Sequence, residues 1–96
     1  MSESNSSQKP VKSMGKRISL ARMRAGQKGN IVRISGGYGV VRRLEALGIR
    51  EGQEIKKISE QWMRGPVLLQ HGNTQLALGF GLASKVLVKI TGEFRW

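Results

Sequence analysis

Thirteen glycines cut this 96-residue chain into short apolar runs, and that punctuation limits the fold more than any other feature. A glycine inside a helix or strand costs roughly 0.5–1 kcal/mol relative to alanine. Short elements joined by tight turns are therefore the economical solution. "NIVRIS" (30–35) reads as a strand with Ile31, Arg33 and Ser35 on one face and Val32 and Ile34 on the other. In "QEIKKIS" (53–59) Ile55 and Ile58 stand three apart, which breaks strict alternation and predicts a bulge or twist. "PVLLQH" and "TQLAL" flank a "GN" pair, so Gly72 and Asn73, both tolerant of positive φ, predict a two-residue hairpin turn. "KVLVKI" sets Val86, Val88 and Ile90 on one side and Leu87 on the other. "SLARM", with Ser19 as N-cap, and "GLAS" predict single helical turns. The expectation is a mainly β domain: a small, partly open barrel or sandwich of about five strands, with one short α-helix and one or two single-turn helices.

The α-helix belongs to "VVRRLEALGIREGQEI" (40–55). Val40, Val41, Leu44 and Leu47 recur at spacings of three and four, with Arg42, Arg43 and Glu45 opposite. Gly48 is placed to end the helix in the left-handed conformation. Ile49 would then fold back on Leu44, as in a Schellman motif, and Gly52 would turn the chain into the next strand. A DNA-recognition helix would need a companion helix of similar length, and the sequence offers none. Arg42 and Arg43 are consistent either with a solvated face, where Arg42 can pair with Glu45, or with a docking surface for an acidic partner.

The charge narrows the partners. Seventeen Lys and Arg against six Asp and Glu give +11, of which +8 lies between residues 18 and 90. Such a field attracts polyanions and acidic protein faces. Residues 1–17 are polar and basic and predict a disordered arm ahead of a domain at 18–90, with 91–96 as a C-terminal tail. No apolar run approaches the roughly 18 residues that span a bilayer, and the start of the chain has no apolar signal segment. A cytoplasmic protein is expected.

Catalytic groups are scarce. There are no cysteines and no aspartates, and His71 is the lone histidine. No catalytic residue, metal ligand set or cofactor is predicted. "GFGLAS" and "SGGYG" lack the remaining residues of dinucleotide and phosphate loops. His71 beside the hairpin turn reads as a surface residue, with a weak ferrous contact through it and glutamates as the minor alternative. A nucleic-acid-binding barrel remains an alternative on charge, although no strand carries a pair of stacking aromatics.

The order of these signals resembles the FeoA family, ferrous iron transport protein A, over about residues 18–90. The resemblance rests on "SLARMRAGQKGNIVRISGG" with its G-x-x-G at Gly26 and Gly29, on L-G-I-x-x-G at Leu47, Gly48, Ile49 and Gly52, and on Gly65-Pro66 entering the hairpin. Ala83 before the last strand completes it. It implies an SH3-like barrel that serves as a cytosolic accessory to the FeoB ferrous-iron permease, whose cytoplasmic part contains a GTPase domain. Association with the inner face of the membrane would come through that partner. A similar domain closes metal-dependent repressors, where it follows DNA-binding and metal-binding regions not seen here. Gly79 stands where many members of the family have a basic residue. The residues expected to meet the partner are Arg42, Arg43, Leu47, Gly48 and Ile49. Gly26, Gly29, Gly52, Gly72 and Asn73 are expected to form structural turns.

Overall fold

A computed structural model describes residues 14–59 and 63–94. Strand β1 (Arg17–Ser19) leads into a 3₁₀ turn (Leu20–Arg22) and then β2 (Gln27–Ile34). Helix α1 (Gly37–Ala46) follows, then β3 (Glu54–Ser59), the hairpin β4 (Val67–His71) and β5 (Thr74–Leu78), the single turn α2 (Phe80–Ala83), and β6 (Val86–Glu93). All pairings are antiparallel, in the order β1-β6-β2-β3-β4-β5.

Among the described residues this sheet has no second sheet to pack on, so it must curl to bury its apolar face. Ile31, Ile55, Leu69, Leu78, Val88 and Ile90, one or two from each of β2 to β6, meet in a single core with Leu20 and Met23 of the first turn and Leu44 and Ile49 of the helix exit. The sheet order ends at β1 and β5, and these edges are not paired with each other among the described residues.

The six strands exceed the expected five by β1, whose three residues carry little apolar signal. It forms because its backbone pairs with β6, Ile18 opposite Val88. The pairing extends N-terminally: the Gly15 N–H donates to the Ile90 carbonyl at 2.7 Å, and the Ile90 N–H donates to the Lys16 carbonyl at 2.9 Å. Residues 15–17 thus belong to the sheet rather than to the expected arm, whose remaining residues up to 13 lie outside the described ones. At the other end, Thr91 to Glu93 continue β6 instead of starting a tail. The Phe94 N–H closes the ladder on the Gly26 carbonyl at 2.8 Å.

Register shifts interrupt two of the pairings. The register of β2 on β6 shifts between Ile31 and Arg33, so Ile31 and Ile34 both reach the core rather than opposite faces. The register of β3 on β4 shifts between Lys57 and Ser59, the irregularity foreseen from Ile55 and Ile58. The inward face runs against simple hydropathy: Lys57, two residues on from Ile55, is fully buried, while Ile58 is only half-buried. The Lys57 Nζ donates to the Met23 carbonyl at 2.7 Å and to the Leu20 and Ala21 carbonyls at 3.4 Å. It closes the C-terminal end of the 3₁₀ turn. Ser19 occupies the N-cap position of that turn, yet its hydroxyl makes no capping bond.

Gly29 is not a turn residue. It lies inside β2, opposite Ile55 on one side and Ile90 on the other. A side chain there would overlap the Lys89 carbonyl and come within 2.7 Å of Val88 Cγ1. The G-x-x-G spacing therefore marks a turn at Gly26, at φ +91°, followed by a close approach of two strands. In the hairpin only Gly72 takes positive φ, at 56°. Asn73 does not, so the turn needs one permissive residue rather than two.

Candidate functional site: the solvent face and exit of helix α1

Helix α1 begins three residues earlier than its apolar periodicity suggested. Gly36 and Gly37, at φ of +101° and +86°, let the chain swing from β2 into the helix. That places Tyr38 in the first turn, one helical turn ahead of Arg42. Leu44 is buried, Val40 and Val41 are half-buried against the core, and Arg42, Arg43 and Glu45 face solvent.

The helix ends as the sequence indicated. Gly48 sits at φ +85°. Its N–H donates to the Glu45 carbonyl and the Ile49 N–H donates to the Leu44 carbonyl, both at 2.9 Å, which is the bonding pattern of a Schellman motif. Ile49 and Leu44 are both fully buried in the core. Gly52, at φ +86°, completes the corner, and its N–H donates to the Ile31 carbonyl at 2.8 Å. The helix exit is tied to β2 and leaves little freedom for the face above it.

The five residues expected to meet a partner separate on this corner. Arg42, Arg43 and Leu47 are on the surface, Leu47 with 44% of its area exposed. Ile49 is 0% exposed and acts on the face only by anchoring it. Gly48 is half-buried because the His71 ring lies beneath it: a side chain at Gly48 would stand 2.8 Å from His71 Cε1 and 3.1 Å from Nε2. His71 is therefore a packing residue, not the free surface histidine expected from its place beside the turn. Its Nδ1 lies 3.3 Å from Gln53 Nε2. Among the described residues, buried His71 Nε2 and Gln53 Oε1 find no hydrogen-bond partner.

Tyr38 was missed as a surface contributor. Three-quarters of its area is exposed, and the Arg42 guanidinium lies 5.5 Å from its ring centroid. The arrangement is a cation over an aromatic face, worth about 0.5–1 kcal/mol at an exposed site. Arg42 takes this position instead of pairing with Glu45. The spacing of four from Tyr38 to Arg42 would have revealed it, had the helix start been placed at Gly37.

The face thus presents an aromatic ring, an aliphatic side chain and the guanidinium groups of Arg42, Arg43 and Arg50, interrupted by the carboxylates of Glu45 and Glu51. Such a mixture suits recognition of a protein surface. Among the described residues no three His, Cys, Asp or Glu side chains stand together as a metal site. No helix there is long and apolar enough to cross a membrane.

A model of the FeoA domain family matches residues 18–90. The chain is 34% identical over 70 residues to "Putative Fe(2+) transport protein A" of Methanocaldococcus jannaschii, a match covering 73% of this chain and 83% of that relative. The crystal structure of an iron uptake regulatory protein, FeoA, superposes with a TM-score of 0.70 at 31% identity, covering 77% of this chain and 96% of the other. A zinc complex of FeoA from Stenotrophomonas maltophilia, described as a prokaryotic SH3 domain protein, shares the fold at a TM-score of 0.63 and 24% identity, covering 74% of this chain and 88% of the other. The chain is a member of the FeoA domain family and has its SH3-like open barrel.

Proposed function

We propose that this protein is a small accessory of ferrous iron transport, without chemistry of its own, that docks on the cytoplasmic part of a FeoB-type permease and modulates it. Family membership supports the iron-transport assignment. The observation that supports docking through α1 is the exposed set of Tyr38, Arg42, Arg43 and Leu47 on a helix whose exit is held by buried anchors, Leu44 and Ile49. Exposed Tyr and Arg are the residue types that dominate protein-binding hot spots, and a rigid support reduces the ordering cost of binding. The protein works at the inner face of the membrane, held there by its partner.

Calorimetric titration of the full chain into the GTPase-containing cytoplasmic part of the cognate permease, at low salt, tests this reading. Saturable binding is expected. The pair Arg42→Glu with Arg43→Glu, and separately Leu47→Asp, should each weaken it at least tenfold while the amide spectrum stays dispersed. No binding by the folded protein, or binding indifferent to both changes, refutes the assignment.

A further inference from the structure

A second cluster of exposed cations lies away from α1. An open groove runs along β1 and the turn that follows it, lined by Lys16, Arg17, Ser19, Arg22 and Arg24, with Glu93 as the single carboxylate among the described residues. All four cations are exposed, and none pairs with a carboxylate among the described residues. The wall carrying Arg22 and Arg24 is rigid. The buried Gln27 side chain accepts the Arg24 N–H at 2.7 Å, and Lys57 holds the Leu20, Ala21 and Met23 carbonyls from below.

The groove also contains a sheet edge. Among the described residues β1 pairs with β6 on one side only. Lys16 bonds back to Ile90, and antiparallel ladders alternate, so the Arg17 N–H and C=O and the Ser19 N–H turn toward the open side. Unpaired strand groups of this kind are templates for an added strand.

We propose that this groove is a second binding site that takes an extended, acidic segment of a partner polypeptide as an additional strand beside β1. Backbone bonds to Arg17 and Ser19 set its register, and its carboxylates pair with Arg22, Arg24 and Lys16. Two other polyanions fit less well. Among the described residues lining it, the groove offers no aromatic platform on which bases could stack. It is concave, whereas a lipid surface is flat. The site is separate from the α1 face and does not depend on the docking reading.

An alternating Glu-Val decapeptide, titrated into the isotopically labelled full chain at low salt, tests the proposal. Amide shifts are expected to cluster at residues 15–25 and 93, and hydrogen exchange at Arg17 and Ser19 should slow at least tenfold. The pair Arg22→Glu with Arg24→Glu should weaken binding tenfold or more with the spectrum still dispersed, while Arg42→Glu should leave it unchanged. Equal binding by the same peptide N-methylated at alternate residues overturns strand addition. Tighter binding of an oligothymidine decamer in the groove, or binding only to phosphatidylserine vesicles, overturns the assignment of a polypeptide ligand.

Discussion

Replacing Gly48 by alanine puts two separable strains on the helix exit. The first is conformational. At φ +85° an L side chain crowds the following carbonyl, at about 1–2 kcal/mol per residue. The second is steric, because the new methyl would stand 2.8 Å from His71 Cε1 and 3.1 Å from Nε2, against about 3.5–4.0 Å for an unstrained contact. Shifting a packed ring to relieve such overlap costs about 1–3 kcal/mol. Gly48→Ala should therefore lose about 2–5 kcal/mol, a large share of the 5–15 kcal/mol typical of a domain. At about 4–8 °C per kcal/mol for a domain of this size, Tm should fall by at least about 8 °C. Urea denaturation followed by far-UV circular dichroism measures the loss, and a double-mutant cycle with His71→Ala divides it. With the ring removed, only the conformational part should remain, about 1–2 kcal/mol, so the two changes should couple by about 1–3 kcal/mol. Gly52→Ala is the control, since it has nearly the same φ, +86°, and open space around it. It should cost about 1–2 kcal/mol whether or not His71 is present. A Gly48→Ala protein within about 0.5 kcal/mol of the parent would refute the whole argument, and an equal loss in both His71 backgrounds would refute the ring contact.

Two further perturbations probe the supports of the barrel. Gly29→Ala forces a methyl into the Lys89 carbonyl of a paired strand, where backbone cannot yield as a flexible side chain would. It should cost about 3 kcal/mol or more, read as a lower urea midpoint at unchanged slope. Lys57→Met removes the cation that holds the Leu20, Ala21 and Met23 carbonyls. It should destabilise by more than about 2 kcal/mol and speed amide exchange across residues 20–26, whereas Lys56→Met on the same strand should do neither.

Local instructions were legible wherever a few adjacent residues carry the physics. Gly48 with Leu44 and Ile49 specified a helix stop, because the left-handed residue and its apolar clasp lie within six positions. The alternation of Val86, Val88 and Ile90 specified an inward face, since neighbouring side chains on a strand must oppose each other. Even the β3 irregularity showed in the spacing of Ile55 and Ile58. Sequence-based reasoning failed where one residue's role depends on a distant strand. Gly29 looked like half of a turn motif, and its reason is the Lys89 backbone sixty residues on. Lys57 carries no apolar signal, yet it shares the inward face of Ile55 and meets carbonyls more than thirty residues earlier.

The candidate sites divide in the same way. The α1 face was visible as a helical pattern, apart from Tyr38, whose place followed from a helix start that Gly36 and Gly37 allow. The basic groove was not visible, because Lys16 and Arg17 stand on one strand and Arg22 and Arg24 on the next turn, and only the fold aims them into one space. The sequence by itself determined the hairpin, the alternation of β6, the helix stop and the family, all encoded over short spans or in their order along the chain. Tertiary structure alone decided which glycine is a close approach, which lysine is buried, which ring lies under Gly48 and where the positive charge converges. Those outcomes depend on packing between strands far apart in sequence, and no local spacing carries that information.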